Sequence, residues 1–175
     1  MPGEGSAGAE IMFVGQCPGF HEDQQGLPFV GRAGELLNEL LTSINIKREK
    51  IFITNIVKDR PPENRDPMVD EVRACSPYLE RQIKILNPKL IVALGRFAAE
   101  FFIPDGKISS IHGQPHRVKG LLILPLYHPA AALRSPGVLD ELRRDFKKIP
   151  KVLAGEVEIK EIINNKVPEN QMSLI

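Results

Sequence analysis

Cysteine is nearly absent from this chain of 175 residues: only Cys17 and Cys75 occur. A pair so sparse and so widely separated excludes a disulfide framework and cannot by itself build a metal site. A reducing, intracellular setting is expected. A charge surplus is missing too. Lys and Arg number 23 against 22 Asp and Glu, a formal net charge of +1. Binding to a polyanion would therefore need a local basic patch, because the chain as a whole supplies no field of one sign. No run approaches the about 18 consecutive apolar residues of a membrane span. The opening MPGEGSAGAE has no basic segment leading into an apolar one, so no signal peptide is expected and the cytoplasm is the expected location. Internal repeats are absent.

What is present suits one globular domain. Hydrophobic residues make up 42% of the chain, and the length fits a single core. The domain is expected over 1–153, with 154–175 as a polar tail. Four short apolar runs read as strands: AEIMFVG, IFITNIV, KLIVALG and LLILPLY. Between them, Leu36, Leu37, Leu40, Leu41 and Ile44 recur at helical spacing. A second helix is expected through VDEVRACSPYLERQIKIL, capped by Asp66 with Pro67 in its first turn, and bent or restarted at Pro77. RFAAEFF reads as a short helix, ISSIHGQPHRVKG as a hairpin, HPAAALR as a loop, and LDELRRDFKKIPKVL as a last helix interrupted at Pro150. Strands that are apolar throughout and alternate with helices predict an α/β fold. The expected form is three layers, α/β/α, around a central four-stranded, mainly parallel sheet.

Such sheets bind ligands beyond the carboxyl ends of their strands. The loops expected there carry GQCPG (Gly15 to Gly19), Thr54, Asn55, Lys58 and RPPENR, then Gly95 and Arg96, then His128 and Pro129. Each residue has an ordinary reading beside a chemical one. His128 satisfies loop backbone groups or donates to a developing anion. Asn55 forms a turn or reads a base edge, since its amide donates and accepts at once. Phe29, in the glycine-rich GLPFVGRAG, plugs the core or offers a stacking face. Arg60, Arg65, Arg96 and Arg134 are solvated or hold phosphates.

Taken in order, GQCPG, HEDQQGLPFVGRAGELLNELL, IFITNIVKDRPPENRDP, IVALG and YHPAAALR resemble the family 4 (thermostable, iron–sulfur type) uracil-DNA glycosylases, over about residues 9 to 149. The resemblance implies a DNA repair enzyme that flips uracil out of the duplex and hydrolyses its N-glycosidic bond, leaving an abasic site. It implies that Phe29 stacks on uracil, Asn55 reads its edge and His128 stabilises charge on the departing base. Gly15, Cys17 and their neighbours to Gly19 would supply backbone donors near uracil and water. Ala130 to Arg134 would wedge into the duplex, with Ala131, Leu133 and Arg134 on DNA beside Arg60, Arg65 and Arg96. Uracil-containing DNA, single- or double-stranded, is the implied partner, and a monomer the implied state.

The chain departs from that pattern in three places. The family's motif reads GEAPG or GEGPG, with a glutamate that places or activates water; here Gln16 stands there, followed by Cys17. An amide accepts no proton. General-base help is worth about 10²–10⁴ in rate, so reduced activity is expected, with Gln16 positioning water and Asp23, next to Glu22, as substitute. The family's [4Fe-4S] cluster needs four thiolates. Of those positions only Cys75 keeps its cysteine; the cysteine of VKCRPP is Asp59, and the CxxC segment is not in the chain. No cofactor or metal is expected. Finally, the terminal QMSLI resembles the start of a sliding-clamp-binding peptide. Two other readings follow from the same residues: a uracil- or abasic-site-binding module that does not cleave, and a glycosylase for another deaminated base.

Overall fold

A computed structural model describes residues 1–162. Its strands are β1 (Glu4–Gly5), β2 (Ile11–Gly15), β3 (Phe52–Asn55), β4 (Leu90–Leu94), β5 (His116–Val118), β6 (Leu121–Leu126) and β7 (Lys160–Ile162). Its helices are α1 (Phe20–Gln25), α2 (Arg32–Ser43), α3 (Val69–Leu86), α4 (Arg96–Phe102), α5 (Ile108–Ile111), α6 (Pro129–Ala132), α7 (Pro136–Phe146) and α8 (Ile149–Leu153). The QMSLI segment lies outside the described residues.

The strands form one sheet in the order β1-β3-β2-β4-β6-β5-β7. The four strands legible as apolar runs are its centre, and all pair in parallel. The sheet is nonetheless seven-stranded rather than four-stranded. β1 and β5 add antiparallel to β3 and β6, and β7 adds parallel to β5. These additions are two or three residues long, too short to show a hydrophobic period, and only their place beside a formed sheet makes them strands.

Alternation along each central strand builds three layers. Ile11 and Phe13, with Leu90, Val92, Leu94, Leu124 and Leu126, join α2, α7 and α8 on one face. Met12 and Val14, with Ile91, Ala93 and Ile123, join α3 and α4 on the other. Phe13 stacks on Phe146 of α7 at 6.0 Å between ring centroids.

The helices differ from expectation where prolines and caps decide. α3 begins at Val69, after Asp66-Pro67, because the Glu71 carboxylate accepts the Met68 N–H at 2.8 Å and caps the helix from within. Pro77 neither bends it into two nor restarts it: the Ser76 hydroxyl donates to the Arg73 carbonyl at 3.2 Å, the acceptor that Pro77 leaves without a backbone donor. The last helix divides at Lys147 and Lys148, and Pro150 sits in the first turn of α8, where a missing N–H costs nothing. HPAAALR is not simply a loop, for it carries α6, and HEDQQ forms most of α1. ISSIHGQPHRVKG is not a hairpin in itself, for ISSI forms α5 and only β5 follows; the hairpin is β5 with β6, turning through Lys119 and Gly120, both at positive φ.

Candidate functional site

The parallel strands deliver their carboxyl ends to one rim. Register places Gly15 beside Asn55, and the Ile56 and Val57 amides donate to the Gly15 and Gln16 carbonyls, both at 3.0 Å. Gly95 follows β4 and bonds through its N–H to the Leu126 carbonyl at 2.8 Å, which brings His128 over the same end of the sheet. The expected gathering of Gly15, Gln16, Phe29, Asn55 and His128 is what the fold produces.

Gly15 is there because nothing larger fits. A Cβ on it would lie 2.4 Å from Asn55 Oδ1 and 3.1 Å from the Phe29 ring. Asn55 is 2% exposed. Its backbone carbonyl takes the Lys58 ammonium at 2.8 Å, while its side-chain amide forms no hydrogen bond among the described residues. No side-chain N or O among the described residues is both fully buried and unpaired, so the Asn55 amide opens onto the pocket. Lys58, 8% exposed, fixes this strand end from behind, donating also to Thr54 Oγ1 at 2.7 Å and Gln82 Oε1 at 2.8 Å. Burial pushes its ammonium down to about 8, with the Cys75 charge opposing.

Phe29 holds φ at 54°, a conformation aromatic residues rarely adopt. Two side chains clamp it there. Glu22 Oε1 accepts the Val30 and Gly31 N–H groups at 3.0 and 3.2 Å. Arg48 donates to the Pro28 and Phe29 carbonyls at 2.6 and 3.3 Å. α2 presses from below: a Cβ on Gly34 would sit 1.8 Å from the Phe29 carbonyl oxygen. The Phe29 ring then stacks on His128, centroids 5.4 Å apart and planes at 27°.

His128 caps α6, its Nδ1 accepting the Ala130 N–H at 3.1 Å. That bond assigns the ring proton to Nε2. Burial pushes the imidazole down to about 4, with Glu22 opposing and Arg134 adding to the fall. The ring is therefore a neutral donor at physiological pH. Because the folded value lies below the ordinary 6.5, the unfolded chain takes up this proton first as pH falls. Stability should drop between 6.5 and 4 relative to His128→Asn, which keeps an acceptor for Ala130 and has no proton to gain. Urea unfolding of both proteins across that range checks it; parallel curves would mean that His128 titrates normally.

The remaining expected residues divide. Gln16 is half-buried, and its Nε2 donates to Asp66 Oδ1 at 3.2 Å. Of the acidic pair, Glu22 turns toward the pocket, whereas Asp23 is exposed. Ala131, Leu133 and Arg134 project outward around buried Ala132. Arg60 lies over the Phe20 ring, 5.1 Å from its centroid, and Arg96 over Phe97 at 4.3 Å. Arg65 is engaged within the protein by two parallel hydrogen bonds donated to the Glu71 carboxylate at 2.9 and 2.7 Å. That pairing, then the Met68 N–H, holds the Glu71 carboxyl down at about 2. Glu22 as a clamp and Arg48 carry no sequence expectation, and Asp66 is expected only as a helix cap rather than as a partner of Gln16. Their partners lie 8 to 50 positions away, and no local pattern announces such pairings.

The donor set does not fit a four-thiolate cluster. The chain has two cysteines. Cys75 Sγ accepts the Lys58 N–H at 3.3 Å. The Cys17 thiol is pushed up to about 11 by burial, with Asp66 and Glu71 adding, so it stays protonated. Asp59 is exposed, and among the described residues no three His, Cys, Asp or Glu side chains gather as a metal group. No helix among them is long and apolar enough to cross a membrane.

Comparison with known proteins shows which family the sequence resembles. The sequence profile of the Uracil DNA glycosylase superfamily matches residues 2–153. A Type-4 uracil-DNA glycosylase of Sulfurisphaera tokodaii is 48% identical over 159 residues, 85% of this chain and 72% of that protein. One from Archaeoglobus fulgidus is 47% identical over 158 residues, covering 85% and 79%. One from Thermotoga maritima is 48% identical over 146 residues, covering 81% and 74%.

Proposed function

The chain belongs to the uracil-DNA glycosylase superfamily, with Type-4 enzymes among its relatives, and from that membership we propose how its rim excises uracil from DNA. The observation that carries the reading is the Asn55 amide at the end of β3, open to the pocket between Gly15 and an aromatic plate that stacks on a neutral histidine.

A flipped uracil enters at the carboxyl ends of β2, β3, β4 and β6. Asn55 offers a donor and an acceptor to the uracil edge, the pairing that an imide of alternating C=O and N–H requires. Phe29 supplies the face on which the base stacks. Gly15, with no Cβ, leaves the base room beside Asn55, and the loop from Gly15 through Cys17 to Gly19 lines the approach. Ala131, Leu133 and Arg134 fill the gap left in the duplex, and Arg60 and Arg96 lie where phosphates pass.

The chemistry is hydrolysis. Water forms a bond to the sugar C1′ while the C1′–N1 bond breaks and its electron pair leaves on uracil. Negative charge spreads onto the base oxygens, and the His128 Nε2–H donates to it. A neutral donor aimed at charge that grows along the reaction stabilises the transition state more than the ground state. The attacking water loses one proton to solvent, and the departing uracil anion takes one up from solvent at N1, giving free uracil and an abasic sugar. Gln16 orients that water without removing its proton.

The test is a single-turnover assay on oligonucleotides that carry uracil, hypoxanthine or only ordinary bases. Alkali-labile sites are expected in the uracil strand alone. Binding of the uracil strand without any abasic product would replace this reading with the non-cleaving module that Gln16 would otherwise suggest. Preference for hypoxanthine would reassign the base.

Truncating Phe29 to alanine is expected to weaken affinity for the flipped base by about 1–3 kcal/mol. Competition with free uracil reads it, and an unchanged inhibition constant would show that the ring only packs.

A further inference from the structure

We propose that Asp66 is the residue that positions Gln16 for the reaction. The inference rests on the uracil-excision reading of the pocket.

Gln16 follows β2, and Asp66 comes from the loop before α3, 50 positions away. The Asp66 carboxylate is used on both sides. Oδ1 accepts Gln16 Nε2–H at 3.2 Å, and Oδ2 accepts Arg96 Nη2–H at 3.3 Å. Arg65 ties down its backbone, donating to the Asp66 carbonyl at 3.0 Å while gripping Glu71. Three loops of the rim therefore meet on one carboxylate. The contact also removes an ambiguity intrinsic to a carboxamide. An anion attracts the NH₂ end and repels the carbonyl end, so Asp66 permits one of two flips. Gln16 Oε1 is left as the acceptor that faces away from Asp66, free to take a hydrogen from water. Without that constraint the amide presents donor and acceptor interchangeably, and half of its orientations turn the wrong group toward the nucleophile.

The same geometry sets what a glutamate at position 16 would meet. A carboxylate at position 16 would lose the Nε2–H donor and face the exposed Asp66 carboxylate, and the like charge raises the proton affinity of the pair. The charged or titratable groups around the pair are Arg96 on Asp66, Arg65 bound to Glu71, and the Cys17 thiol, which feels Asp66 and Glu71. Arg96 is the cation that meets Asp66 through its side chain.

Two measurements on the full chain test this. In ¹⁵N-labelled protein, the Gln16 side-chain NH₂ protons should move to free-amide positions in Asp66→Ala and stay near the wild-type positions in Asp66→Asn, which keeps an acceptor. In single-turnover excision, Asp66→Ala should lower kcat by about tenfold to a hundredfold, with KM, abasic-DNA affinity and melting temperature unchanged; Asp66→Asn should recover most of it. Adding Gln16→Glu should also give an acidic limb at higher pH than Gln16→Glu combined with Asp66→Asn. An NH₂ signal indifferent to Asp66 overturns the inference. So does a loss confined to KM, a full kcat in Asp66→Ala, or coincident limbs for the two Gln16→Glu proteins. A wild type that excises no uracil would instead sink the functional reading, and the Gln16 signal would still decide whether Asp66 holds the amide.

Discussion

Replacing His128 by alanine should lower kcat for uracil excision by about two to three orders of magnitude, the usual loss when one donor to a developing anion is removed. KM and affinity for abasic DNA should change far less, because the Nε2–H meets its full partner only after charge has moved onto the base. Three structural facts set this expectation. The ring is held by its Nδ1 bond to Ala130, it lies against Phe29, and it remains neutral because burial pushes its titration down to about 4. Alanine also removes the α6 cap, at about 0.5–2 kcal/mol of stability. His128→Asn separates the effects: it keeps an acceptor for Ala130, so it should recover stability without recovering kcat. Equal kcat in wild type and His128→Ala would assign the imidazole to loop structure alone.

Asn55→Asp should be the other severe lesion, about 10⁴ in kcat/KM, the discrimination found where a site built to hydrogen-bond a substrate loses the match. Asn55 is 2% exposed, and the nearby ammonium of Lys58 is turned to the Asn55 backbone carbonyl, Thr54 and Gln82. An aspartate there loses the N–H donor and sets a carboxylate against a base carbonyl. The burial that makes the anion unfavourable raises its proton affinity, and a protonated carboxyl regains one donor. The variant should therefore gain activity as pH falls, a rise that wild-type Asn55, with no proton to gain, does not supply. A uracil-excision profile of Asn55→Asp parallel to the wild type would remove Asn55 from the base-reading role.

How much of this was legible before the fold depended on range. The central strands were, because Ile11 to Val14 and Leu90 to Leu94 are apolar at every position, and such runs occur where a sheet is covered on both faces. From them followed the rim, and from the rim the gathering of Gly15, Asn55 and His128. Helix boundaries were less so. Pro77 was expected to break α3, and a hydroxyl from Ser76 supplies what it withholds; Asp66 was expected as a cap, and it serves Gln16 and Arg96 instead. The edge strands were not legible, since two or three residues carry no period.

The sequence by itself determined the layered sheet, the end of it where chemistry gathers, and which side chains stand there, because burial on two faces and strand direction are written in local patterns. The tertiary structure alone decided how those side chains are held. It set Glu22 and Arg48 around a strained Phe29, the sulfur of Cys75 against a backbone amide, and one carboxylate between Gln16 and Arg96. Hydrogen bonds between residues far apart in the chain depend on angles and on a few tenths of an ångström, which exist only once the layers have packed.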